Sequence, residues 1–489
     1  MGPRVTAVAI AAILLLSACT RNAPQQAKAS ASPTPTPSKI AWLDCGGGFQ
    51  CGTLTVPLDY AHPTAGSIDI ALNRKPATDR ANRIGSLLIN PGGPGASGVD
   101  WVHDGAFALQ SLNRRFDLVG FDPRGVSRSA PIRCFDGPQW DAINALDGVL
   151  DDPQEKEAAI QADQAFDAAC AQRNAKVLPF VDTVSAAKDM DLMRAALGDS
   201  KLTYIGFSYG TYLGQTYAHL FPTHVRALVL DGVVDPSISL NDYLPPQLTG
   251  FEQNLHAFLN SCSARKSCEY AQSGDPYTKL TALMKRLDTN PIPVGARMLT
   301  RGLAMIGVLW RVYYQATWPL LEQALARIDR GDASLLLAAA DDYYSRNADG
   351  TYANEGDSNA AINCLDHPVP KDISAYDQLG PALVNISPFF GATFQYSNLT
   401  CAFWPVKPTG SVGPLTADGA PPILVVGGTN DPVTPYAWAQ SVNRQLAGSV
   451  LLTRNGNGHT SYFASTCIQQ AEDAYLINLK LPADGTICI

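Results

Sequence analysis

Positive charge is scarce and scattered: 36 lysines and arginines face 44 aspartates and glutamates, the net charge is −8, and no basic run occurs. A nucleic-acid partner therefore has no electrostatic support. No two of the 11 cysteines stand at Cys-x-x-Cys spacing, which removes the commonest zinc pattern, and no metal is expected. The N-terminal apolar run, residues 5–16, is too short to span a bilayer as a packed helix. Histidine is also sparse, with seven in 489 residues, so a search for a general base has few places to look.

What is present begins with an address. Arg4 and the apolar run read as a signal peptide over residues 1–18. The run ends in Leu16-Ser17-Ala18-Cys19, similar to the bacterial lipobox, in which the cysteine becomes the lipidated first residue of the mature chain. Cys19 is thus the expected lipid attachment point, and the anchor is the only expected membrane contact. The chain is expected outside the cytoplasm, held to the cell membrane or released to the envelope or medium. An ordinary secretory signal with a coincidental cysteine is the alternative. Residues 19–39, rich in Pro, Ala, Ser and Thr, read as an extended tether with nothing to bury.

Without Cys19, ten cysteines remain, an even number suited to disulfides in an oxidising compartment. Neighbours in sequence are Cys45 with Cys51, Cys134 with Cys170, Cys262 with Cys268, Cys364 with Cys401, and Cys467 with Cys488. Each pair closes a local loop if joined, although connectivity does not follow from sequence. The oligomeric state is not legible.

Some 450 residues follow the tether, more than one simple core holds, so one large domain with an insertion or two domains are expected. The first half alternates short β-branched runs with helical stretches, the pattern of an α/β fold with a mostly parallel sheet and helices on both faces. Leading strands are expected at 53–58 and 67–72, and buried parallel strands at 86–89, 116–121, 202–205 and 227–230. A helix is expected at 183–197, stopping before Gly198. From 237 to 404 the patterns are helical, clearest at 298–315 and 318–328, without a convincing strand. Strand character returns at 422–426 and 449–453. The economical layout is a core over 40–236, a large helical cap insertion over 237–404, and the rest of the core over 405–489. Two domains in series is the alternative, but the last 85 or so residues supply only about two strands, too few for a sheet of their own.

Gly206-Phe207-Ser208-Tyr209-Gly210 follows one expected strand and precedes a helical stretch at 211–220, the context a Gly-x-Ser-x-Gly nucleophile elbow requires. A serine on so tight a turn sits in strained backbone, and the helix start behind it offers N–H groups to a developing oxyanion. Serine needs a base to take its proton. His62, His103, His219, His224, His256 and His367 fall in loops, on helices or in the insertion, where ordinary hydrogen-bonded or surface roles suffice. His459, in Asn455-Gly456-Asn457-Gly458-His459 after the last strand, stands where an imidazole reaches the sheet edge. Asp431 follows the strand at 422–426, at a strand's C-terminal end where such sites are built, and lies between serine and histidine in chain order. Asp231 is the competing acid, with a role in capping a loop or supporting the insertion set against it.

A second oxyanion donor is expected from Asn90-Pro91-Gly92-Gly93-Pro94-Gly95, giving the amides of Gly93 and Tyr209 as the pair. Gly93-Pro94-Gly95-Ala96-Ser97-Gly98 formally matches the dinucleotide-binding Gly-x-Gly-x-x-Gly. Against that reading, Pro94 removes an N–H from the turn meant to cradle pyrophosphate, and an exported protein has little access to nicotinamide cofactors.

With these residues in hand, the chain resembles the secreted tripeptidyl-aminopeptidase branch of the proline-iminopeptidase-like α/β-hydrolases, a group that includes actinobacterial exported proteases and esterases. The likeness rests on 51–60, Asn90 to Gly95, 117–125, the Ser208 elbow, and the Asp431 and His459 loops. It implies the α/β-hydrolase fold, no cofactor, and cleavage of short peptides from a free N-terminus under a helical cap; some members act on esters. Asn90 stands where a histidine usually opens the oxyanion loop of the narrower proline iminopeptidases, so prolyl specificity does not carry over. An aminopeptidase must hold an ammonium, and Asp366 and Glu355 are the candidates, with solvated acids as the plain alternative for each. A carboxylesterase with the same triad, and a lipoprotein that binds peptides or lipids without turnover, are the competing functions.

Overall fold

Residues 39–489 are described in the structure, a computed structural model; Cys19, the signal peptide and the tether fall outside these residues. Among the described residues no helix is long and apolar enough to cross a membrane.

Twelve strands form: β1 Leu43–Gly46, β2 Phe49–Pro57, β3 Ser67–Lys75, β4 Gly85–Asn90, β5 Phe116–Phe121, β6 Leu202–Phe207, β7 Val225–Asp231, β8 Ile292–Val294, β9 Arg297–Leu299, β10 Leu424–Asn430, β11 Val450–Asn457 and β12 Thr486–Cys488. Ten make one sheet in the order β1-β2-β3-β5-β4-β6-β7-β10-β11-β12. β1, β2 and β3 pair antiparallel with their neighbours, and everything from β5 to β12 is parallel. The strands at the centre, β4, β5 and β6, are buried at every position, as a sheet covered on both faces demands. This accounts for their largely apolar sequences, in which Ser86, Asn90, Asp117 and Thr203 are the buried polar exceptions.

β4 lies between β5 on one side and β6 on the other, so the chain reverses direction of travel across the sheet there. At such a switch point the loops leaving adjacent strands part and open a crevice at the C-terminal edge. The loops after β4 and β6, holding Gly93 and Ser208, flank that crevice. Those after β10 and β11 carry Asp431 and His459 along the same edge.

The long connection from β7 to β10 is mainly helical. Leu255, Phe258, Leu303, Val308, Leu321 and Leu336 form part of an apolar core of its own. Its last third is divided, because Ala361, Leu365 and Trp404 join the core under the sheet while Leu383, Phe389 and Phe390 stay with the connection's own core. The connection from β5 to β6 also makes an excursion, with helices Gly137–Asn144 and Pro153–Asn174.

Three expectations are corrected. β8 and β9 pair as a small hairpin within the segment read as free of strands, turned by Gly295 at φ +61°. Met298 belongs to that hairpin, so the helix expected over 298–315 runs only over Arg301–Val312, begun by the Thr300 side chain accepting from Leu303 N–H. The C-terminal part supplies three strands to the sheet instead of two, the third being β12, which adds to the edge of β11. β12 and the exposed β1 are too short or too polar to carry a two-residue apolar period.

Five disulfides join Cys45 to Cys51, Cys134 to Cys170, Cys262 to Cys268, Cys364 to Cys401, and Cys467 to Cys488. Each is the local pair suggested by sequence neighbourhood. Peptide mapping of the unreduced protein is expected to return these five links, and a crossed link would refute the arrangement.

Candidate active site

Ser208 sits between β6 and helix Tyr209–Leu220 with φ 55° and ψ −126°, a region that costs a non-glycine residue about 1–3 kcal/mol. Its surroundings hold it there. Its N–H donates to the Asp231 carbonyl at 3.0 Å, and its own carbonyl accepts from Thr211 N at 2.8 Å and Thr211 Oγ1 at 2.7 Å. A Cβ on Gly206 would lie 2.3 Å from the Gly210 carbonyl oxygen, and one on Gly210 would lie 2.7 Å from that of Asn90. Only glycine fits at either flank. Serine at a helix N-cap ordinarily spends its hydroxyl on a nearby backbone amide; Ser208 makes no such cap bond, which leaves its Oγ available to the cleft.

His459 Nδ1 lies 3.0 Å and 2.9 Å from the two carboxylate oxygens of Asp431. Asp431 also accepts from Val433 N, Thr434 N, Thr434 Oγ1 and Thr460 N at 2.9–3.1 Å. Burial alone would raise its pKa, but the imidazole beside it and the donors from Thr434 and Thr460 hold the carboxyl below the usual range. An ionised carboxylate accepts only, so the hydrogen on His459 belongs on Nδ1 and Nε2 is left with its lone pair. Nε2 is buried and has no hydrogen-bond partner among the described residues, Ser208 Oγ included. Ser208 and His459 line the same cleft, of about 1240 Å³. Bonds of this kind are often long in free enzymes and tighten only when substrate is bound.

Backbone ties fix the histidine as well. His459 N–H donates to the Tyr313 carbonyl at 2.7 Å, and a Cβ on Gly458 would lie 3.0 Å from Gln315 N. The β7–β10 connection therefore lies directly on the histidine loop.

Of the two amides expected to receive an oxyanion, that of Tyr209 follows the serine directly, and Gly93 lines the same cleft as Ser208. A Cβ on Gly92 would lie 2.9 Å from Ser208 Cβ and 3.1 Å from Tyr209 N, which sets the loop after β4 against the elbow. Gly92 N–H is occupied by Asn90 Oδ1 at 3.0 Å. Tyr209 N–H begins its helix, where intrahelical bonding leaves donors over. On its outer side the same loop is covered, since a Cβ on Gly95 would lie 2.6 Å from the Glu355 carbonyl oxygen.

Asp231 ends β7 but does not touch the imidazole. Its Oδ2 accepts from Ser461 N and Tyr462 N, each at 2.8 Å, so it caps the loop that carries His459. Burial lifts it to about 6 against the pull of those two amides. Asp366 is not brought to the cleft. It lies in the last turn of helix Glu355–Asp366, facing the start of helix Thr183–Ala196, where its carboxylate accepts from Thr183 N at 2.9 Å and from Thr183 Oγ1; burial raises it to about 7. Glu355, at the other end of the same helix, does line the cleft. Its carboxylate accepts from Ser345 Oγ at 2.9 Å, burial raises its pKa against that bond, and no basic side chain among the described residues pairs with it.

Sequence reasoning missed the aromatic wall. Trp101, Trp140, Trp310, Tyr313, Tyr314 and Phe463 line the cleft, and they come from four separate stretches of chain. It also missed Arg454, buried in the second half of β11. Asp147, Glu155 and Asp288 are the one carboxylate group among the described residues close enough to share a metal ion. Arg301 already ion-pairs with two of them, Asp147 and Asp288.

A parallel sheet in this strand order, with a serine elbow after one strand and an acid and a histidine after two later ones, defines an α/β-hydrolase of the serine type. The family profile described as TAP-like protein matches residues 387–488. The chain is 39% identical over 462 residues to serine protease Hip1 of Mycobacterium tuberculosis (strain ATCC 25618 / H37Rv), covering 90% of this chain and 88% of that protein. It is 32% identical over 469 residues to tripeptidyl aminopeptidase of Streptomyces lividans (92% and 86%) and 37% identical over 458 residues to carboxylesterase B of M. tuberculosis H37Rv (90% and 86%). The chain belongs to the TAP-like family of α/β-hydrolases.

Proposed function

We propose that this protein is an exported serine exopeptidase that releases short peptides from free N-termini. Ser208 is the nucleophile, His459 the general base and Asp431 the residue that orients it. One observation carries the reading: the imidazole is held at Nδ1 by both oxygens of Asp431, keeps Nε2 free of any partner among the described residues, and lines the same cleft as Ser208. Ser208 Oγ attacks the carbonyl carbon as its proton passes to Nε2, and the amides of Gly93 and Tyr209 receive the oxyanion. His459 then protonates the leaving amine, and water releases the acyl group by the reverse route. Five disulfides support an oxidising compartment. Lipidation at Cys19 and a cap spanning 237–404 belong to the same proposal.

The free N-terminus is assigned to Glu355. A carboxylate without a cationic partner, set among Tyr313, Tyr314 and Tyr343, whose ionisation its charge opposes, suits an ammonium group. Glu355→Gln is expected to raise KM about tenfold or more for free-amine peptides, the loss of one charge-assisted bond, while acetylated peptides are little affected. Equal effects on both would remove Glu355 from the site.

An ester substrate is the second reading. Trp101, Phe207 and Phe463 lie 5.4–6.0 Å apart beside Ser208, an apolar wall that suits an acyl chain as well as a side chain. Profiling free and blocked peptides beside short-chain esters separates the two. A kcat/KM for esters that exceeds every peptide would move the assignment to carboxylesterase.

A further inference from the structure

The turn Asn457 to Tyr462 carries His459, and two buried charges outside the triad hold its ends. Arg454 has no carboxylate partner at ion-pair distance among the described residues, and all its bonds go to this turn. Nη1 donates to the Asn457 carbonyl at 2.9 Å, Nη2 to the Gly458 carbonyl, and Nε to Ser461 Oγ at 3.3 Å. On the far side, Asp231 Oδ2 accepts from Ser461 N and Tyr462 N, while its main-chain carbonyl accepts from Ser208 N. Asp231 thus touches the nucleophile elbow through its backbone and the histidine turn through its side chain.

Stability alone does not explain these choices. A buried guanidinium bonded only to neutral groups is costly, and apolar residues would fill the space at less expense. The surroundings sharpen the point. Glu472 lies beneath Asp231 with both carboxylate oxygens unpartnered, and burial together with the charges of Asp231 and Asp473 drives it strongly toward the neutral form. Asp473 is engaged by Ser111 and Tyr462, and Asp431 by His459. Arg454 and Asp231 are therefore the opposed charges that face each other across the turn, and each acts on the other.

We propose that Arg454 and Asp231 are positioning residues for the hydrolytic reaction, the guanidinium fixing the carbonyls that enter the His459 turn and the carboxylate fixing the amides that leave it. Together they keep the imidazole in register with Ser208. The inference rests on His459 being the general base.

Arg454→Ala is expected to lower kcat about 100-fold, the scale of an ångström's misplacement at a reacting centre, with KM within about threefold of the parent. Because Arg454 borders the cleft, guanidinium ion at non-denaturing millimolar concentration should restore about tenfold or more of the lost kcat, which a merely structural defect would not allow. Asp231→Asn keeps an oxygen for both amides and loses the charge, so a loss of about tenfold in kcat is expected, again with KM held. If Arg454→Ala does not fold, Arg454→Lys replaces it, with about tenfold loss expected because an ammonium lacks the planar fork. Folded arginine and aspartate variants with kcat within about twofold of the parent, or a folded Arg454→Ala whose loss guanidinium does not relieve, overturn the proposal. His459→Ala run in parallel separates the two ideas. An active His459→Ala overturns the base assignment, whereas an inactive one beside an unimpaired Arg454→Ala overturns only the positioning role.

Discussion

Ser208→Ala should lower kcat on the order of 10⁵-fold or more, the loss seen when a serine nucleophile is removed from a triad, and abolish labelling by a fluorophosphonate probe. The fold should survive. Ser208 contributes to its surroundings through backbone groups, its N–H to Asp231 and its carbonyl to Thr211, and its hydroxyl caps nothing. Alanine keeps the backbone bonds, removes only Oγ and carries the same φ of 55° as serine, so the melting temperature should stay within a few degrees of the parent. Mass spectrometry of the probe adduct locates the modified residue. Labelling at any other serine, or turnover by Ser208→Ala near the parent rate, would end the assignment.

Asp431→Asn should cost about 10⁴-fold in kcat with little change in KM, because the wrong tautomer is then favoured. The carboxylate accepts from five donors: His459 Nδ1, Val433 N, Thr434 N, Thr434 Oγ1 and Thr460 N. A carboxamide has one acceptor atom and turns an NH₂ toward one set of them. Satisfying the amides of Val433 and Thr434 with its oxygen points NH₂ at His459 and Thr460, so Nδ1 must become the acceptor and the hydrogen moves to Nε2. Nε2–H cannot receive the serine proton. Steady-state kinetics on one peptide substrate measures the effect, and a loss under tenfold would show that another acid, with Asp231 nearest at hand, does the orienting.

Local chemistry made the centre of the fold readable. Runs such as 116–121 and 202–205 are buried and largely apolar on both faces because both faces of the sheet are covered, and Gly206 and Gly210 announce the elbow because no side chain fits beside it. Asp431 and His459 were legible from chain order and strand ends. The rest depended on distance in sequence. Asp366 and Glu355 share one helix, eleven positions apart, and only the packing of that helix between Thr183 and the cleft decides that one carboxylate is spent inside the protein while the other residue lines the cleft. β8, β9 and β12 are three residues each, shorter than any periodicity can mark. Arg454 was silent for a different reason. Its partners are backbone carbonyls of the Asn457 turn, and carbonyls leave no trace in side-chain identity.

The hydrogen bond from His459 N–H to the Tyr313 carbonyl joins the β7–β10 connection over the cleft to the proposed general base. A segment bonded to that amide and packed on Gly458 would not shift without loading the histidine loop. On the proposed exopeptidase reading, such a joint would favour a polypeptide that inserts only an end over one that must force its middle in.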